Sequence, residues 1–391
     1  MIYFFVLGNN PTLSLAELSA VLPCQDGALI SNEVFIWETG NEIVPEKLIK
    51  VLGGIIKIGV FEKTAPNQAN LIDPMLAICN KASQKTTGKF NFGISNYGQQ
   101  SLPVEAIGLT LKKKLKEHEI SSRLVTSQGK TLSSVVVEQN KLLTKGVEIV
   151  LAADGGKILV GRTLAVQDFK NLSKRDFGRP VRDDRSGMLP PKVAQIMLNL
   201  AEIKNFNGIV LDPFCGSGTI LQEALLLGFT KVAGTDLSSK AIADTKENIA
   251  WLKNKYGLEG AKTDIFIKNV IKLSESFKPE SVEAIVCEPY LGPQRGWSDM
   301  KLVKKELEDL YSQALREFSK ILKPHGRVVM IWPKFFGDKQ INPDYYKFEI
   351  KNSLPEEWKK WPGVKVTERN TIVYGRAGQK VFREIVVLEK K

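Results

Sequence analysis

IVLDPFCGSGTILQE, residues 209–223, decides the fold of the second half of the chain. Apolar residues end on Asp212, a tight Pro/Gly loop follows, and an apolar helix begins near Thr219. Strand, glycine turn and helix form the place where open α/β sheets bind nucleotides. A dinucleotide fingerprint needs G-x-G-x-x-G. Here Gly216 and Gly218 fill the first two places, but Leu221 holds the third. An acidic strand end also repels a pyrophosphate, whereas it suits a ligand with an ammonium group. S-adenosylmethionine has that ammonium and a ribose, and it has no phosphate. The string is therefore expected to hold S-adenosylmethionine through Asp212, Pro213, Phe214, Cys215, Gly216, Gly218 and Thr219. An ordinary βα turn is the competing account.

Outward from this turn, strand and helix alternate: 208–212, 219–227, 231–236, 238–256, 262–269, 282–288, 302–322 and 327–332. Two β-rich runs, 371–376 and 381–388, flank an Ala-Gly and read as an antiparallel hairpin. Five parallel βα units closed by a hairpin match the seven-stranded sheet of a Rossmann-fold class I methyltransferase. Asp236 ends the second strand, KVAGTD, where an acidic group can accept both ribose hydroxyls, with Leu237 beside it. A helix-terminal Asp stabilised by the dipole is the plainer alternative. Asn269 ends the third strand, where its amide oxygen can accept from an adenine amine while Val270 offers its backbone N–H. It reads equally well as a loop residue.

The fourth strand ends in Cys287-Glu288-Pro289-Tyr290-Leu291-Gly292-Pro293. Enzymes that methylate exocyclic amines carry Asp/Asn-Pro-Pro-aromatic at this place. A carboxylate or amide oxygen and a proline carbonyl accept from the target NH₂ and offset the positive charge developing on nitrogen. The aromatic stacks on a flipped-out base. Here Glu288 replaces the Asp/Asn and Pro289 fits. Tyr290 stands where the second Pro would be, and Trp297 is a further candidate for stacking. A strand-end turn held by Pro289 and Pro293 is the structural alternative. Cys287 and Cys215 read as buried packing residues rather than nucleophiles.

The first half is organised differently. Strands at 3–8, 28–37 and 55–61, with helices at 14–21 and 45–52, give a β-α-β-β-α-β pattern. Ser14 is expected to cap the first helix, with Glu17 completing a capping box. A second α/β unit follows, with helices from Asp73 and at 104–119 and strands at 89–95, 133–139, 146–153 and 157–166. Residues 168–186 have little periodicity and many basic residues, which suggests a linker. A Pro-opened helix then starts the catalytic part.

Charge separates the halves. The chain carries +12 overall; residues 1–50 contribute −4 and residues 51–186 contribute +9. A polyanionic partner fits that excess. Candidate phosphate contacts are Lys112, Lys113 and Lys116 on the 104–119 helix and Lys170, Lys174, Arg175, Arg179 and Arg182 in the connector. A solvated helix face explains the first group equally well. Four scattered cysteines and two distant histidines indicate neither a disulfide framework nor a metal site. With no apolar run of membrane length and no signal-like start, a cytoplasmic protein without membrane association is expected.

RDFGRPVRDDRSGMLPPKVAQIMLNLA followed by LDPFCGSGT resembles the catalytic part of tRNA guanosine-N2-methyltransferases acting at tRNA position ten. YFFVLGNNPTLSLAELSAVL, LGGIIKIG and KFNFGISNYG resemble the ferredoxin-like and THUMP domains that precede it in this family. The resemblance spans nearly the whole chain. It implies a ferredoxin-like domain over 1–65, a THUMP RNA-binding domain over 66–167, a linker over 168–186 and a methyltransferase domain over 187–391. It also implies that the THUMP domain grips tRNA. Met188, Leu189 and Pro190 would line the S-adenosylmethionine site, Asp212, Phe214, Gly216 and Asp236 would hold the cofactor, and Glu288 and Pro289 would meet the target amine. One or two methyl groups on N2 are the implied product. Eukaryotic members of the family work with a small zinc-ribbon activator subunit, an implied possible partner here. The family's Asp-Pro-Pro-Tyr is replaced by Glu-Pro-Tyr-Leu.

Overall fold

The computed structural model describes residues 1–86, 88–98, 102–182, 188–293, 300–335, 339–375, 379 and 381–391. These fall into two compact units: residues 1–15, 24–169 and 361–363 form the first, and 16–23, 170–360 and 364–391 the second.

The first unit is built on one eight-stranded sheet. Its opening elements are β1 (Ile2–Leu7), α1 (Pro11–Val21), β2 (Ala28–Ser31), β3 (Val34–Glu38), α2 (Pro45–Val51) and β4 (Ile55–Ala65). They order as β2-β3-β1-β4, every pair antiparallel, which is the ferredoxin-like arrangement expected from the sequence. Then come α3 (Ile72–Ser83), β5 (Phe90–Asn96), α4 (Val104–Glu117), β6 (Ser122–Val125), α5 (Ser134–Gln139), β7 (Gly146–Asp154) and β8 (Lys157–Val166). β5 lies parallel to both β6 and β7, and β8 pairs antiparallel with β7 and with β4. The eleven residues of β4 thus serve both segments, and the boundary drawn after residue 65 falls inside a continuous sheet.

A buried charge network lies within this sheet. Lys57 of β4 and Glu148 of β7 pair at 2.5 Å with almost no exposure. Ser95 and Thr163 donate to the same carboxylate, and the Lys57 ammonium also donates to the Leu132 carbonyl. Interior charges are tolerated only when their lone pairs and protons find partners in this way.

Two expectations for this unit are corrected. Ser14 does not cap α1: the helix starts at Pro11, and the Asn10 side chain accepts from Leu13 N at 3.1 Å. Pro tolerates the first helical position because its missing N–H has no helical partner there. Ser14 instead accepts from Gly8 N and donates to the Gly54 carbonyl. Residues 133–139, read as a strand from the Val-Val-Val run, form α5. The Ser133 side chain accepts from Val136 N, and Val137 packs with Val125, Leu132 and Leu142. A cap and a buried face override β propensity in so short a segment.

In the second unit, α6 (Phe169–Phe177) occupies much of the connector, where no regular element is expected from the sequence. It is followed by α7 (Pro191–Leu200), β9 (Ile209–Asp212), α8 (Thr219–Leu226), β10 (Lys231–Asp236), α9 (Ser239–Tyr256), β11 (Lys262–Ile267), β12 (Val282–Cys287) and α10 (Met300–Ile321). The last strands are β13 (Leu322–Phe335), β14 (Lys339–Gln340), β15 (Phe348–Ile350), β16 (Ile372–Tyr374) and β17 (Val381–Lys390). The sheet path is β11-β10-β9-β12-β13-β17-β15. β9 to β13 are mutually parallel, and β17 runs antiparallel to β13. The expected final hairpin is present as β16 and β17, with β15 pairing farther along β17. Gly187, expected just before α7, and Arg376, the expected end of the first hairpin strand, lie outside the described residues. Strand order reverses between β9 and β12, so the crevice at their carboxyl ends is the topological switch point.

All four cysteines are free and buried. Burial pushes the Cys24 and Cys79 thiols up to about 12 and those of Cys215 and Cys287 well above the usual thiol range. Among the described residues, no helix is long and apolar enough to cross a membrane.

Candidate active site

β9 delivers Asp212 to the switch point, and the chain turns sharply through residues 213–218 into α8. Gly216 and Gly218 take φ of 51° and 85°, the left-handed region open to glycine. At Gly218 a Cβ would also stand 2.9 Å from Thr245 Cγ2. Four contacts fix the loop. Asp212 Oδ1 accepts from Phe214 N, and Asp236 Oδ2 accepts from Gly216 N, each at 3.1 Å. Thr245 donates to the Gly216 carbonyl at 2.6 Å, and Asn248 Nδ2 to the Ser217 carbonyl at 2.9 Å. Thr245 and Asn248, three residues apart on α9, are fully buried. Within so polar a helix nothing in the sequence singles these two out, and the sequence reading missed them.

Carboxylates converge here. Asp212 is buried, and burial drives its carboxyl well above the usual range. The Phe214 N–H acts against that, and the nearby Asp236 and Glu288 charges add to it. Asp236 also accepts from Ser238 N at the start of α9, so it serves the turn and the helix together. Leu237, next to it, is 67% exposed. Asn269 caps the short turn that follows β11, its side-chain oxygen accepting from Ile271 N, and Val270 is buried.

Glu288 follows β12 directly and makes a contact that the sequence did not reveal. Arg383 Nε donates to Glu288 Oε1 at 2.5 Å, with side-chain exposures of 13% and 15%. Burial raises the Glu288 carboxyl, and the Arg383 charge and hydrogen bond lower it, leaving it above the ordinary range. Pro289 is buried; Tyr290 is 58% exposed, while its carbonyl accepts from the Tyr311 hydroxyl of α10 at 2.7 Å. The turn is thereby pinned by its backbone and leaves an aromatic ring exposed. Trp297 lies outside the described residues.

Met188 and Pro190 are partly exposed and Leu189 is buried. Thr219 is buried at the start of α8. Both Met188 and Thr219 accept from Arg179, the hydroxyl at 2.8 Å. Arg179 is 4% exposed and so is no phosphate contact. Arg175 is corrected likewise: it pairs through two nitrogens with the buried Glu223 of α8 at 2.7 and 3.1 Å. Both guanidiniums satisfy buried groups beside the turn. Arg182 is partly buried, its guanidinium 5.0 Å from the Phe177 ring centroid. Lys112, Lys113, Lys116, Lys170 and Lys174 are exposed.

Residues 179–336 match a family described as RMKL-like, methyltransferase domain, and residues 109–247 match a DNA methylase family. The tRNA (guanine(10)-N2)-dimethyltransferase of Pyrococcus abyssi is 24% identical over 86% of this chain and 89% of its own length. The tRNA (guanine(6)-N2)-methyltransferase of Thermus thermophilus is 33% identical over 37% of this chain and 39% of its own length. The crystal structure of TrmN from Thermus thermophilus aligns over 100% of both chains, with a TM-score of 0.55 and 20% identity. That likeness shows a shared fold.

Proposed function

We propose that this chain is an S-adenosylmethionine-dependent tRNA methyltransferase that methylates N2 of guanosine at tRNA position ten, once or twice. One observation carries the reading. The glycine turn that follows Asp212 and the Glu-Pro-Tyr segment stand at the carboxyl ends of neighbouring parallel strands, β9 and β12, at the switch point. The relative that aligns along most of both chains acts on guanine 10, which favours that position over guanine 6.

In this reading Asp212, Gly216, Gly218 and Asp236 hold the cofactor, with Met188, Leu189, Pro190, Leu237, Asn269 and Val270 around it. The bound cofactor supplies an electrophilic methyl on sulfonium. Glu288 accepts from the N2 amine and the Pro289 carbonyl accepts its second hydrogen, which aims the nitrogen lone pair. Tyr290 stacks on the extruded base. The ferredoxin-like segment 1–65 and the THUMP segment 66–167 grip the tRNA in the cytoplasm, and residues 168–186 join them to the catalytic part.

The test is incubation of the full chain with methyl-labelled S-adenosylmethionine and tRNA transcripts, followed by nucleoside mass spectrometry. N2-methylguanosine or its dimethyl form at position ten is expected, and is lost when that guanosine is replaced by adenosine. Methylation confined to guanosine 6 would move the site. A chain inert on every tRNA, also with a zinc-ribbon subunit added, would leave an RNA-binding protein that has lost catalysis.

A further inference from the structure

We infer that Arg383 is a positioning residue for methyl transfer: from β17 it holds the Glu288 carboxylate turned for the acceptor amine and favours its charged form. The inference rests on the function proposed above and names the group that makes a glutamate work where the family pattern has aspartate.

Arg383 lies opposite Pro333 of β13 and Tyr374 of β16, near the start of β17. Because β17 is antiparallel, its start stands at the carboxyl end of the parallel strands, the end where β12 delivers Glu288. The two residues are 95 positions apart in sequence, yet their side chains meet at 2.5 Å. A glutamate reaches one methylene farther than an aspartate, so the longer side chain can reach β17 and still present an oxygen to the crevice. Among the described residues, Arg383 is the only hydrogen-bond donor to Glu288, and the bond ends on Oε1.

Among the described residues, the other titratable groups acting on this carboxylate oppose its charge or are neutral. Asp212 of β9 is acidic, and the Cys287 and Tyr311 side chains are buried groups whose ionisation is pushed up. Without that partner, burial would push this carboxyl further towards its neutral form. Protonated Glu288 could neither attract a developing aminium nor accept its proton. With Glu288 charged, the departing proton has an acceptor beside the amine. The N2–CH₃ bond forms as the CH₃–S bond breaks, the bonding pair goes to sulfur, and one N2 proton leaves to Glu288 or to water. The pair has the geometry of a charge-assisted hydrogen bond, which fixes direction as well as charge.

The experiment is the pH profile of single-turnover methyl transfer at saturating cofactor and tRNA, on the full chain. Arg383→Gln removes the charge and should raise the Glu288 carboxyl further. Its rate should fall on the order of tenfold per pH unit of that rise at pH 7 and recover as the pH is taken towards 9. Arg383→Lys should restore much of the neutral-pH rate. Glu288→Gln with Arg383→Gln, an uncharged pair, should be slow and flat across the same range. S-adenosylmethionine affinity, read by calorimetry, should change less than about threefold in all three and shows that each is folded. An active wild type whose Arg383→Gln variant keeps the wild-type profile, or is uniformly slow without recovery at high pH, overturns this inference alone. A wild type inert on tRNA overturns the functional reading and this inference with it.

Discussion

Charged residues in this chain reveal their roles only through what surrounds them. Lys170, Lys174, Arg175, Arg179 and Arg182 look alike in a basic connector, and sequence spacing gives them one role. The structure divides them, because Arg175 meets Glu223, 48 positions away, and Arg179 meets Thr219, 40 away. Neither pairing has a local signal. Arg175→Met should lower stability by about 3–5 kcal/mol, since it strands the buried Glu223 carboxylate. The pH dependence has a definite sign. Burial already raises the folded-state Glu223 carboxyl, and losing Arg175 raises it further. A raised carboxyl favours folding at low pH, and that benefit is lost as pH climbs through the folded value. Chemical denaturation should therefore show a small penalty near pH 5 that grows towards pH 8; an equal penalty at both would dismiss the pairing. Aspartates 212 and 236 and Glu288 were legible as strand-end acids, because a parallel sheet puts its chemistry at that end. Arg383 was not, for it lies within an apolar-rich strand paired on both sides, with no motif around it.

Among the elements, the strand–turn–helix of residues 209–226 was readable because its glycines answer a backbone demand. Gly218→Ala forces a side chain into φ of 85° and against Thr245. Roughly 2–4 kcal/mol of destabilisation and loss of S-adenosylmethionine binding are expected. Gly216→Ala meets no atom within 4 Å and should cost only about 1–2 kcal/mol for its backbone. Thermal unfolding and calorimetry on the two variants compare them, and equal losses would disprove the Thr245 contact. Short elements were the illegible ones. The six residues of α5 have a strand-like composition, and only Ser133 and the packing of Val137 make them helical. The start of α1 was misread by three residues because an Asn-Pro pair competed with a Ser-x-x-Glu box. The ferredoxin-like order, by contrast, followed from the succession of elements, while the joining of β4 to β8 did not, since long-range pairing leaves no local trace.

At the level of the whole molecule, the +9 excess over residues 51–186 predicts how RNA binding responds to salt. Replacing Lys112, Lys113 and Lys116, all exposed on α4, by Glu should weaken tRNA binding and make the log–log salt slope shallower by roughly 2–3. Filter binding between low and physiological salt measures it. A slope unchanged within error would return these lysines to the role of a solvated face, with Lys170 and Lys174 next to be tried. The closed interior of both units has a separate and practical consequence. Cys24, Cys79, Cys215 and Cys287 are shut away from solvent with their thiols held protonated at neutral pH. Maleimide chemistry needs a reachable thiolate. The native chain accordingly offers such a reagent almost nothing, and one cysteine introduced at a surface site would carry a fluorophore alone. The docking of tRNA could then be watched from a single chosen point, with all four natural sulfurs left in place.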